Sequence, residues 1–179
     1  MEIRMLKIMI KKILIIAVIL GCAWWYWKAR TTLSEDKVLA YYTHVGEVIV
    51  AREPEGLCKL LADDYQGTDS ASLGEEASRE HQFDKTQSCG TTRDLFAKYD
   101  ELDKKFGGLL NLKYHYKVNN FKLSPDKKSA TVDINYSLDT GGSFMQMNSH
   151  SKDTLIRKNG KTLLLRSNSE TVISVGNRG

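Results

Sequence analysis

Residues 112–139, LKYHYKVNNFKLSPDKKSATVDINYSLD, decide how this chain folds. Leu112, Tyr114, Tyr116 and Val118 occupy every second position, and Lys113, His115 and Lys117 fall between them. That alternation is the signature of a strand with one face on a core and one in water. Phe121 and Leu123 continue the apolar series one position out of phase, so a bulge is expected at Asn119-Asn120. Ser124-Pro125-Asp126 then turns the chain, with Pro125 preset for the first corner of a type I turn. Beyond it Ala130, Val132, Ile134, Tyr136 and Leu138 alternate with Thr131, Asp133, Asn135 and Ser137. The stretch reads as two antiparallel strands.

Toward the C-terminus the same grammar repeats. Asp139-Thr140-Gly141-Gly142 closes the second strand, and a third, more polar run from Phe144 to Lys158 ends at Asn159-Gly160. Asn-Gly favours a type I′ hairpin turn, whose two corner residues both need positive φ. A last strand starts at Thr162 and carries Leu163, Leu164 and Leu165, then Val172 and Ile173. The prediction is a four-stranded antiparallel meander.

Toward the N-terminus the period changes from 2 to 3.6. Ser34 is placed to cap a helix with Glu35 and Asp36 in its first turn, followed by Val38, Tyr41, Tyr42, Val45, Val48 and Ile49 at helical spacing. Pro54 suits the first position of a shorter helix bearing Leu57, Leu60 and Leu61. Residues 68–90 are polar and read as a loop, with a short helix considered near Glu75 to His81. Thr92 is the expected cap of a third helix with Leu95, Phe96, Tyr99, Leu102 and Phe106, stopped by Gly107-Gly108. Three helices followed by four strands make an α+β domain over residues 31–179.

Residues 1–30 have a different character. They hold six basic residues against Glu2, whereas the rest of the 179-residue chain holds 20 basic and 21 acidic residues. The net charge of +4 therefore belongs to the N-terminal segment, and the near-neutral domain carries no electrostatic footprint for nucleic acid. From Ile13 to Ala23 the segment is apolar, and Trp24, Trp25, Tyr26 and Trp27 follow as an interfacial aromatic belt would. Lys11 and Lys12 would snorkel to the headgroups, letting Ile8, Met9 and Ile10 extend a span that is otherwise short for a ~30 Å hydrocarbon core. The excess of basic residues before the run predicts a cytoplasmic N-terminus and a domain outside the cytoplasm, in the periplasm of a bacterial cell. A second reading is a secretory signal, because Ile19-Leu20-Gly21-Cys22 has the form of a lipobox that would leave a lipid on Cys22. A third is a helix buried in the core.

Cys58 and Cys89 fall in the part expected outside the cytoplasm, where disulfides persist. If paired, they would tie the second helix to the polar loop and add about 3–4 kcal/mol by loop-closure entropy. Two separate buried thiols are the alternative.

The order of elements resembles the nuclear transport factor 2-like superfamily. The residues that carry the likeness are Leu61-Ala62-Asp63-Asp64-Tyr65-Gln66-Gly67, the stretch from Val118 through Ser124-Pro125-Asp126 to Val132, and Asp153 through Asn159-Gly160 to Lys161. The resemblance implies a cone, three helices on a strongly bent sheet, with a short strand after the second helix for which the stretch near Tyr65 qualifies. It also implies pairing of two copies through the sheet. The superfamily contains dehydratases, isomerases and cyclases, non-catalytic ligand binders, and membrane-anchored parts of bacterial secretion machines, so fold does not choose among them.

Enzymes of that group use an Asp, His or Tyr inside the cone. Here the candidates are Asp64, Tyr65, His115, Asp153, Tyr114, Tyr116 and Tyr136, with Met145 and Met147 as adaptable apolar lining. Each also has a plain structural reading: His115 as a solvated residue between two lysines, the tyrosines and methionines as core, and Asp63-Asp64 as local hydrogen-bonding groups at a helix end. His44, His81 and His150 form no metal-ligand spacing, and no metal or cofactor is expected. The expectation is a non-catalytic, membrane-anchored periplasmic domain that engages a protein partner or a second copy of itself, as a secretion-complex component or an immunity protein would. The rival is a cone that binds a small apolar ligand, or acts on it as a cyclase or isomerase. A roomy cavity with a desolvated Asp or His favours the rival; a filled cone favours the partner-binding reading.

Overall fold

The computed structural model describes residues 2–73, 79–141 and 145–175, with side chains of residues 2–13, 73 and 79 left aside. Helices α1 (Glu2–Thr31), α2 (Glu35–Val50) and α3 (Pro54–Leu60) precede strands β1 (Leu61–Leu73) and β2 (Arg79–Asp84). Helix α4 (Lys85–Lys105) then leads to β3 (Leu112–Leu123), β4 (Ser129–Thr140), β5 (Met145–Lys158) and β6 (Lys161–Val175).

The four expected strands form in the expected antiparallel order, but they are part of a larger sheet. Six strands run β2-β1-β6-β5-β4-β3, and β1 lies parallel to β6, so the sheet is mixed. The two additional strands come from the segment read as a helix end and polar loop. Their inner positions carry Tyr65, Gly67, Asp69 and Ala71, too few large apolar groups to betray a strand by alternation. Of the short helix considered near Glu75 to His81, Arg79 to His81 belong to β2 and the remainder lies outside the described residues, as do Gly142 and Phe144.

Helix α4 starts seven residues before the expected cap at Thr92. Asp84 caps it: its Oδ1 accepts from the Gln87 backbone N–H at 2.8 Å, and Gln87 Oε1 accepts from the Asp84 N–H at 3.0 Å. This reciprocal capping box satisfies two otherwise unpaired donors. Ser34 does occupy the cap position of α2, but its hydroxyl makes no capping bond.

Local turn chemistry is as the residues require. The β3–β4 register shifts between Val118 and Asn120, which leaves Asn119 as the bulge. Asn159 and Gly160 have φ of 53° and 77°, the left-handed pair of a type I′ turn, and Gly107 and Gly108 end α4 at 69° and 79°. Lys127 N–H donates to Ser124 carbonyl at 2.9 Å across the Pro125 turn.

The main core lies where α2 crosses the sheet. Val132, Ile134 and Leu155 are completely buried and meet Val38, Tyr41 and Tyr42 from α2, with Leu33 beside them. A smaller cluster, Tyr99, Leu110 and Leu112, closes the end of α4. Arg52 secures it: one guanidinium nitrogen donates to Asp100 at 3.0 Å and Asp103 at 2.8 Å, the other to the Leu110 carbonyl at 2.9 Å.

Among the described residues, helix α1 meets the domain at its C-terminal end. Lys37 Nζ donates to the Ala29 and Thr32 carbonyls, both at 2.7 Å, and the Leu33 N–H donates to Lys127. Leu14 to Leu20 and Trp24 to Trp27 stay exposed, which overturns the reading of this segment as a buried core helix. Among the described residues no helix is long and apolar enough to cross a membrane, so the expected transmembrane helix is not found there.

Candidate functional site

Between the helices and the inner face of the sheet lies a cavity of about 420 Å³. Its position follows from the side chains that alternation turns inward. On β5 the inward positions are Ser149, Ser151 and Asp153; on β6 they are Ser167, Ser169 and Thr171, paired with them one for one. Short hydroxyls reach less far than Leu or Ile, so the sheet leaves space where the helices arch over it. Tyr41, Val45 and Ile49 from α2, Leu57 from α3 and Leu95 from α4 form the apolar roof.

The hydroxyls are spent on each other and on two carboxylates. Asp153 Oδ1 accepts from Ser151 at 2.6 Å and from Ser167 at 2.8 Å, and Oδ2 accepts from the Tyr42 hydroxyl at 2.8 Å. A carboxylate offers about four acceptor positions, so one on Oδ2 is left among the described residues. Asp69, from β1, accepts at Oδ1 from Ser169 at 2.7 Å and Thr171 at 3.0 Å. Ser149 and Thr171 share a further bond at 3.0 Å.

Asp153 is only 5% exposed. Burial pushes its carboxyl above the usual aspartate range, against the three hydroxyl donors that favour the ionised form. Burial also raises the phenols of Tyr41, Tyr42, Tyr65, Tyr114 and Tyr136, with the Asp153 charge adding to the shift. All five keep their protons at physiological pH. The arrangement is a set of neutral aromatic alcohols around one desolvated carboxyl, able to hold a ligand and to exchange a proton with it.

The sequence candidates divide cleanly. Tyr65, Tyr114, Tyr136, Met147 and Asp153 line the cavity. Tyr116 does not; its hydroxyl shares a 2.8 Å hydrogen bond with Thr43 and helps seat α2 on the sheet. Met145 lies at the end of β5, away from the cavity. Asp64 and His115 are exposed, the latter on the outer face of the sheet, while Asp63 meets Lys85 at 3.0 Å. Alternation sends odd-numbered β3 positions outward before the bulge, which is why His115 is no part of the cone. Cys58 and Cys89 are joined in a disulfide that ties α3 to α4 beside the cavity, and Cys22 is exposed on α1. Among the described residues no group of His, Cys, Asp and Glu could hold a metal ion.

Tyr41, Tyr42, Phe83, Asp69 and the hydroxyl ladder were missed as site residues. The available signal was the run of small hydroxyls at period two, Ser149-Ser151 and Ser167-Ser169-Thr171, on the face that should have been apolar. Gly67 belongs with them: a Cβ there would strike the Phe83 ring and the Tyr65 hydroxyl, which fold over it.

No protein-family model matches the chain, and no curated protein matches it. Solved structures do. A scytalone dehydratase-like protein from Novosphingobium aromaticivorans superposes with a TM-score of 0.56 at 10% identity, over 80% of this chain and 88% of the other. ActVI-ORFA from Streptomyces coelicolor gives 0.51 at 14% identity, over 76% and 95%. An NTF2-like protein from Cytophaga hutchinsonii gives 0.50 at 11% identity, over 78% and 98%. At such identities the likeness speaks for architecture, and the domain has the α+β fold of the nuclear transport factor 2-like proteins.

Proposed function

We propose that this protein is a small-ligand-binding domain held at a membrane by its N-terminal helix. One observation carries the reading: the cone is open over about 420 Å³ and presents a buried, desolvated carboxyl, Asp153, among aromatic walls. Pockets of 300–1,000 Å³ with apolar walls and a few convergent polar groups are the usual form of a ligand site. A domain serving only as a protein-docking module gains nothing from leaving this space unfilled. The tether rests on α1, whose apolar side chains from Leu14 onward are exposed on all sides and end in Trp24, Trp25 and Trp27. On the charge asymmetry the domain lies outside the cytoplasm.

A second reading, proton transfer to or from the bound molecule, is favoured by the raised pKa of Asp153 and its contact with Tyr42. It also agrees with the naming of one solved structure of this fold as dehydratase-like.

The test is native mass spectrometry of the protein extracted gently from its own membranes. A small molecule that co-purifies and is lost on denaturation is the expected result. An empty cone with a second protein at fixed stoichiometry would overturn the proposal in favour of an assembly role. The intact mass of the same sample distinguishes a free N-terminus from a lipid on Cys22.

A further inference from the structure

The cavity's charge inventory is one-sided. Two carboxylates, Asp69 and Asp153, line it, and no Lys, Arg or His among the described residues does. This is in a chain with 26 Lys and Arg and a net charge of +4. Basic side chains crowd the outside of the domain instead; Lys113, Lys117 and Lys152 are exposed on the outer sheet face. The site's own carboxylates are held by hydroxyls rather than by cations: Ser151, Ser167 and Tyr42 serve Asp153, and Ser169 and Thr171 serve Asp69. The remaining polar side chains of the lining are phenols and the hydroxyls of Ser88 and Thr92, all uncharged.

Five tyrosines and Phe83 contribute rings. Tyr114 and Tyr136 stack with centroids 6.1 Å apart, and Tyr65 and Phe83 lie 6.2 Å apart at the side where Gly67 lets them close. Aromatic faces are negative, and rings gathered around a desolvated space attract organic cations.

We infer that the cone selects an organic cation, a small ammonium compound with an apolar tail. This rests on the ligand-binding reading above and adds the charge. An anionic ligand would meet two carboxylates and the negative faces of the rings with no counter-charge. A neutral one would leave the buried Asp153 carboxylate uncompensated. An ammonium group gains from both at once, while its tail lies against Val45, Ile49, Leu57 and Leu95. Burial raises the Asp153 carboxyl in the empty cone, and a bound cation would bring it back down, so binding and ionisation favour each other.

The experiment uses the full chain in a nonionic detergent and three probes of one shape: 3-phenylpropylammonium, 3-phenylpropanol and 3-phenylpropanoate. Titration calorimetry reads the affinities at neutral pH. The ammonium is expected to bind about tenfold or more tighter than the alcohol, and the carboxylate not measurably. Asp153→Asn is expected to reduce the ammonium-to-alcohol ratio. Asp69→Asn, at a half-buried position, makes the same measurement should the first variant fail to fold. If the alcohol binds as well as the ammonium, the charge inference falls and the ligand-binding reading stands. If the ratio survives both substitutions, the cation sits elsewhere and the inference falls. If none of the three probes binds, both readings fall.

Discussion

One sheet presents two opposite interiors. At one end of its inner face, Val132, Ile134 and Leu155 are wholly buried under α2, and Val38 fills what remains. On β5 the inward position after Leu155 is Asp153, and there, with Ser167, Ser169 and Thr171 beside it on β6, packing gives way to open space. Both ends obey the same two-residue alternation. Alternation therefore decides which side chains face inward, and their volume decides whether the inside is core or cavity. The packed end is held by apolar burial. The open end is held by hydroxyl-to-carboxylate bonds and by the Cys58–Cys89 cross-link between α3 and α4.

The largest way to break this comparison is to take away what replaces packing at the open end. Replacing Cys58 and Cys89 together by Ala is expected to lower unfolding free energy by about 3–4 kcal/mol. Urea denaturation of the oxidised parent and the double variant measures it. At the packed end, Leu155→Ala should cost about 3 kcal/mol, through lost transfer energy and the hole left behind. The same denaturation series reads this, and a cost under about 1 kcal/mol would mean that the core there is looser than its burial implies.

Asp153 sharpens the contrast through pH. Its folded pKa is raised by burial above the unfolded aspartate value of about 3.9, so the folded state binds the proton more tightly. Its contribution to stability is then fully present below that value and is lost as pH rises through the folded pKa. Asp153→Asn removes this dependence. The variant is expected to gain on the parent as pH is raised from about 4 toward neutrality, measured as the difference in denaturation midpoint at each pH. A constant difference would show that the hydroxyl donors fully offset desolvation.

The smallest effect is expected from Ser167→Ala. It removes one donor to Asp153, costs about 1–2 kcal/mol at neutral pH, and moves the carboxyl's titration further up. The pH–stability profile of this variant should keep falling to higher pH than the parent's, with a larger total loss.

How far the residues announced all this depends on the range of the forces involved. The β3–β4 pair, the bulge at Asn119 and the type I′ turn at Asn159-Gly160 were legible because turn geometry and alternation are local. Tyr114, Tyr136 and Met147 were legible as inward-facing for the same reason. Strand β1 was legible only through the family likeness around Tyr65, because its inward positions are mostly small or polar and one of its two partners, β6, lies far along the chain. The start of α4 was missed because Asp84 and Gln87 sit in a polar stretch whose meaning comes from the backbone donors they satisfy. Asp69 lies in the stretch read as a polar loop, and its bonds to Ser169 and Thr171 exist only once the sheet brings residues so far apart in sequence together.

The parallel seam between β1 and β6 also sets an order of events. Asp69 and Thr171, bonded across it, are 102 residues apart in the chain. As the chain emerges from the ribosome, the residues of β1 and β2 are made long before those of β6, the strand that flanks β1 in the finished sheet. That edge of β1 stays unpaired until nearly everything else has been made. Closing so long a loop is slow, and an unpaired strand is a site for wrong partners. The cavity, whose wall is that seam, cannot be complete before β6, the last strand of the chain, has been made.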